Sequence, residues 1–130
     1  MNGRLLLDTN FLIGYLGEKE HLLNFLNRDY PHAATYASVV SKLELLSYHA
    51  LSEEDEAEIE SFLSNIAIVP LDEEVQKATV MFRRATRKKL PDSIVAASAI
   101  TVGATLVTCD RELAAASFPG LKTINPDDFQ

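Results

Sequence analysis

The hydrophobic pattern of this chain switches repeatedly between two periods. Short runs at residues 5 to 7 behind Arg4, 35 to 37, 66 to 71, 105 to 108 and 122 to 124 read as strands buried in a parallel sheet. Between them apolar residues recur at helical spacing. Residues 11 to 16 make a short helix broken near Gly14 and Gly17. Residues 18 to 28 make a second, with Leu22, Leu23 and Leu26 inward, before a turn at Asp29, Tyr30, Pro31 and His32. Val39, Val40, Leu43, Leu45 and Leu46 form a strongly apolar helix capped by Ser38 or Ser41. Ser52, followed by Glu53, Glu54 and Asp55, starts a helix that runs to about Ser64 and buries Ile59, Phe62 and Leu63. Asp72 caps the next, whose inner face carries Val75, Ala78, Thr79 and Phe82. Residues 92 to 102 form a helix whose Ala96, Ala97, Ser98 and Ala99 permit close approach to the sheet, and Gly103 stops it. Residues 111 to 116 form a last short helix. Strands alternating with helices imply right-handed crossovers and an α/β fold with helices on both faces of a parallel sheet.

Four acids interrupt this pattern where a core residue is expected. Asp8 ends the first strand, Glu44 is a lone carboxylate in an apolar helix, Asp92 follows Pro91 in the first turn of another, and Asp110 closes the strand ATLVTCD. A polar group in an apolar run needs a partner, and four carboxylates converging unpaired repel one another prohibitively. A divalent cation resolves the conflict. Hard oxygen donors favour magnesium or manganese, and the scarcity of suitable His and Cys argues against zinc.

These residues resemble a known family. LLLDTN near the start, Glu44 within KLELL, LPDSIVAASAI and LVTCD near the end look like the PIN-domain nucleases, in particular the VapC-type toxin ribonucleases of bacterial toxin–antitoxin pairs. The likeness runs from about Leu5 to Phe129. It implies a central sheet of four or five strands in a three-layer α/β/α sandwich. It also implies an RNA substrate left with 3′-hydroxyl and 5′-phosphate ends, a homodimer, and an antitoxin whose extended tail, carrying an arginine, covers the site. The resemblance is least complete after Asp110, where a further acid common among relatives is matched only by Glu112 before Leu113 and a run of alanines.

Composition narrows the setting without changing it. At 130 residues and 47% hydrophobic content the chain is expected to form one domain, residues 1–130, with a real core. No apolar run spans a bilayer and MNGRLLLD lacks a signal peptide's apolar segment, so a cytoplasmic location without membrane attachment is expected. The single Cys109 cannot form an internal disulfide and fits a reducing compartment. A net charge of −7 does not advertise a nucleic-acid binder, but its distribution matters more. Six acids between Glu53 and Glu60 load one helix. Arg83, Arg84, Arg87, Lys88 and Lys89 stand just ahead of Asp92, where they serve either as a solvated face or as a hold on RNA phosphates.

The chemistry that suits such a carboxylate cage is phosphodiester hydrolysis with one or two magnesium or manganese ions, which lower the pKa of a bound water and neutralise the transition state. Asp8 is the central ligand and Asp92 its companion, with Glu44 and Asp110 completing the cage directly or through water. Asn10 and Thr108 are candidates to steer those carboxylates, with Thr9 less certain. Each acid has a plainer role open to it: Asp8 and Asp110 as helix caps, Asp92 as a first-turn acid, Glu44 as a partner of Lys42. Cys109 points away from Asp110's side of its strand and reads as a packed thiol, and His21, His32 and His49 lie outside every motif. Two other functions compete. One is a phosphoryl-accepting Asp, disfavoured because Asn10 stands where a phosphatase of the haloacid dehalogenase type has a second Asp and because the acid pair and Lys of a receiver domain are missing. The other is a PIN-like module that binds RNA or protein without cutting.

Overall fold

The computed structural model describes residues 3–129, so Met1, Asn2 and Gln130 of the expected domain lie outside the described residues. Five parallel strands, β1 (Arg4–Leu7), β2 (Ala34–Ser38), β3 (Ala67–Val69), β4 (Thr105–Val107) and β5 (Thr123–Ile124), form a sheet in the order β3-β2-β1-β4-β5. The chain starts in the middle, builds outward through β2 and β3, then returns to the other side of β1 with β4 and β5. The order therefore reverses between β1 and β4. In open parallel sheets that reversal opens a crevice beyond the carboxyl ends of the two strands, and ligands gather there.

Alternation along β1 sends Leu5 and Leu7 to one face and Leu6 to the other. Leu5 and Leu7 pack with Phe11, Leu12, Leu22, Phe25 and Leu63. These come from α1 (Thr9–Leu16), α2 (Glu20–Asn24) with the π turn that continues it (Phe25–Asp29), and α4 (Glu53–Leu63). Leu6 and Leu106 meet Val75 and Phe82 of α5 (Glu73–Thr86) and Val95, Ala96 and Ala99 of α6 (Leu90–Val102). Helices thus cover both faces, giving the expected α/β/α sandwich with five strands. The buried run from Ser93 to Ala99 explains why α6 is rich in small residues: it lies close against both α5 and the sheet.

Local signals account for most element ends. Asp8 caps α1, Ser38 caps α3 (Val39–Leu46), Ser52 and Asp55 close a capping box on α4, Asp72 caps α5, and Asp110 caps α7 (Arg111–Ala114). Gly103 ends α6 in the left-handed region at φ 67°.

Several expectations are corrected. Gly14 does not break α1; it is buried inside the helix, and a side chain there would run into Leu22, so glycine is what lets α1 and α2 approach. The second helix begins only at Glu20, because Gly17 caps α1 and Glu18 turns the chain at φ 61°. It gives way to the π turn at Phe25. β3 stops at Val69 because Pro70 has no N–H for the ladder, and α6 starts two residues before Asp92, with Pro91 in its first turn. In α3 the buried pair is Ser41 and Leu45, one turn apart, while Leu43 remains 58% exposed.

Candidate active site

At the β1–β4 reversal a cleft of about 430 Å³ is lined by Asp8, Thr9, Asn10, Glu44, Lys89, Asp92 and Asp110, with Ile13, Pro91 and Val95 as its apolar wall. Four acids separated by more than a hundred residues of chain thus border one space. Each arrives on a different element: the end of β1, the exposed face of α3, the first turn of α6 and the end of β4.

Asp8 is the most constrained. Its N–H extends the ladder to the Val107 carbonyl at 3.0 Å. One carboxylate oxygen accepts from the Thr9 N–H at 2.7 Å and the other from the Thr108 hydroxyl at 2.6 Å. Thr108 in turn accepts from the Asp110 N–H at 3.1 Å, so one buried hydroxyl ties both strand ends together. Asp110 spends Oδ1 on the Glu112 and Leu113 N–H groups of α7. The capping roles of Asp8 and Asp110 are therefore real, and both residues border the cleft all the same.

Glu44 is held by a device that spacing alone did not single out. Its Oε1 lies 2.7 Å from the Thr9 hydroxyl, which also lies 2.8 Å from the hydroxyl of fully buried Ser41. Thr9 has one proton, and an ionised Glu44 has none to give. Thr9 therefore donates to Glu44 and accepts from Ser41. The available clue was Ser41 standing three residues before Glu44, on the same helix face. Asn10, expected to steer a carboxylate, is exposed on the cleft wall and makes no hydrogen bond to one among the described residues.

The electrostatics record the crowding. Burial raises the Asp8 carboxyl above its ordinary pKa, opposed by the Thr108 and Thr9 hydrogen bonds and reinforced by Asp92 and Asp110. Asp92 is raised as well, by burial and then by Asp110, with Lys89 and Lys88 countering. The basic run divides. Lys89 lines the cleft and Lys88 acts on Asp92, whereas Arg83 and Arg84 line a separate hollow with Thr79, Val80 and Leu90. Arg87 is taken up in the left-handed turn that ends α5, at φ 61°. Burial, then Asp127 and Asp8, push the Cys109 thiol up to about 11, which disfavours its thiolate form. His21 pairs with Asp127 at 2.9 Å and does not line the acidic cleft.

Among the described residues no three His, Cys, Asp or Glu side chains are grouped closely enough to hold a metal ion as they stand. The donor set nonetheless fits a hard divalent cation in kind. It is all oxygen, and two of its carboxyls have pKa values raised by burial and then by neighbouring acids.

Comparison with known families decides the classification, because a family model for the PIN domain matches residues 5–119, a span that contains all four acids. The chain belongs to the PIN domain family. Among solved PIN-like structures it is similar to a toxin–antitoxin complex from Klebsiella pneumoniae, at 24% identity and TM-score 0.80, covering 94% of this chain and 97% of that one. It is similar to VapBC2 from Rickettsia felis bound to a promoter DNA fragment, at 21% identity and TM-score 0.80, covering 93% and 97%. A DNA-bound VapBC from Salmonella typhimurium is similar at 21% identity and TM-score 0.76, covering 97% and 99%. At these identities the likeness is one of fold. No curated protein matches the chain. No helix among the described residues of this PIN domain is long and apolar enough to cross a membrane.

Proposed function

We propose that this PIN domain is a metal-dependent endoribonuclease that hydrolyses RNA phosphodiester bonds and acts as the toxin of a type II toxin–antitoxin pair. The observation that carries the reading is the cleft at the strand-order reversal, bordered by Asp8, Glu44, Asp92 and Asp110 with Lys89 at its edge. Asp8 and Asp92 would hold magnesium or manganese, with Glu44 and Asp110 completing the set directly or through water. When bound, the ion supplies a water of lowered pKa and positive charge against the developing phosphorane-like transition state. The chain's own residues do the positioning. Thr108 fixes Asp8 relative to the end of β4, the Ser41–Thr9 pair holds Glu44 toward the cleft, and Lys89 attracts the substrate phosphate.

The partner reading rests on a second feature. Beside the cleft, and sharing Ile13 and Glu44 with it, runs a groove of about 420 Å³ lined by Leu16, Leu45, Tyr48 and Ile59 and edged by Asp55 and Glu58. An antitoxin segment with apolar side chains and a basic residue suits that combination, as the toxin–antitoxin character of the Klebsiella pneumoniae complex suggests. We assign the active form as a cytoplasmic homodimer on the same family grounds.

The test is RNA cleavage in magnesium or manganese by wild type and Asp8→Asn, both freed of contaminating nucleases. Wild type is expected to cut and the variant to lose activity by orders of magnitude. Equal degradation by both ends the assignment.

A further inference from the structure

A second cavity adjoins the acidic cleft and sets one lysine against one carboxylate, where the cleft sets one lysine against four. It measures about 340 Å³, is lined by Asn10, Lys19, His21, Cys109 and Asp127, and shares Asn10 and Ile13 with the cleft. Its anionic member is already engaged, since Asp127 accepts from or pairs with His21 at 2.9 Å. Cys109 is a neutral thiol there, its pKa held at about 11. Lys19 makes no ion pair among the described residues, yet it is near enough to Cys109 to oppose that rise.

The backbone delivers Lys19 to this place. Gly17 ends α1, Glu18 takes the left-handed conformation at φ 61°, and the Lys19 N–H returns to the Gly14 carbonyl at 3.0 Å. The lysine stem then lies over Gly14, with Cδ 3.3 Å from where a Cβ would sit. A side chain laid along a helix surface keeps its charged head at the rim while its methylenes are covered.

We infer that this cavity is a subsite for a backbone phosphate of the RNA strand next to the acidic cleft, with the Lys19 ammonium as its cation and the Asn10 amide at the passage between the two. The inference rests on the ribonuclease reading and deepens it. A strand threading a cleft of four carboxylates needs cations flanking it, and phosphate contacts of this kind set position without reading sequence. Lys89 provides one at the α6 side and Lys19 one at the α1–α2 side. The Arg83–Arg84 hollow lies off this path.

The test measures binding of a short random-sequence single-stranded RNA in divalent-free buffer, by fluorescence anisotropy across a salt series. Lys19→Ala is expected to weaken binding roughly fivefold at low salt and to flatten the log affinity against log salt slope by about 0.7, the loss of one phosphate contact on a single strand. Lys19→Arg retains both values, and Lys77→Ala, on α5 and paired with Glu73, leaves both unchanged. Wild-type affinity and slope in Lys19→Ala overturn the subsite. If wild type cuts RNA in that case, only the subsite is lost; if wild type neither binds nor cuts RNA, the ribonuclease reading falls and takes the subsite with it.

Discussion

The Ser41–Thr9–Glu44 chain yields a sharp energetic expectation. Thr9→Val keeps the shape of the side chain and removes the hydroxyl. Ser41 is fully buried, and its hydroxyl would lose the partner 2.8 Å away, a penalty of about 1–3 kcal/mol. The bond to Glu44 adds little to stability, because that carboxylate is exposed and water replaces the donor. Ser41→Ala removes one neutral hydrogen bond and leaves the half-buried Thr9 able to serve Glu44, a loss of about 0.5–1.5 kcal/mol. With both changes together no unsatisfied group remains. The double variant is therefore expected to be less destabilised than the sum of the singles by about 1 kcal/mol. Urea denaturation of the four proteins at neutral pH, with an unchanged m-value, measures this coupling. In the cleavage assay Thr9→Val should lower kcat more than Ser41→Ala does, since it alone releases Glu44. Single effects that add to within about 0.5 kcal/mol would refute the chain, showing that Ser41 finds another acceptor when Thr9 is gone.

Three further outcomes follow from the geometry. Magnesium or manganese at about a hundred times its dissociation constant should stabilise wild type by about 2.7 kcal/mol. That gain, read as a shift in Tm, should shrink in Asp8→Asn and Asp92→Asn, and equal shifts in all three would assign the effect to the surface. In metal-free buffer the raised Asp8 carboxyl keeps its proton to higher pH in the folded chain than in the unfolded one. Its contribution to stability is therefore largest below the ordinary aspartate pKa, falls as pH rises through the raised folded value and stays reduced above it. The difference in melting temperature between Asp8→Asn and wild type should therefore move in the variant's favour as pH rises from acid to neutrality, whatever the fixed loss from the one acceptor oxygen the amide lacks, and a difference that moves the other way would contradict the sign. Gly14→Ala sets two effects against each other: about 1 kcal/mol gained in helix propensity and about 1–3 kcal/mol lost to overpacking against Leu22. Net destabilisation by about 1 kcal/mol in urea is expected, and net stabilisation would mean that α2 yields at Leu22.

Much of this PIN domain was legible along the chain because the relevant signals are local. The Leu5–Leu7 run, the caps at Ser52, Asp72 and Asp110 and the stop at Gly103 each act within a few residues, where backbone sterics and terminal hydrogen bonds decide. The four acids stood out for the same reason, as charges set in apolar surroundings. What the chain could not disclose is every property that depends on distance between remote segments. Gly14 reads as a breaker until Leu22 is seen packed against it, and five neighbouring cations read as one cluster until the turn at Arg87 divides them. Thr9, Ser41 and Glu44 become one unit only when α1 and α3 meet beyond the ends of β1 and β2. Local chemistry names the groups; the parallel sheet, by choosing which strand ends lie side by side, decides which of them can touch.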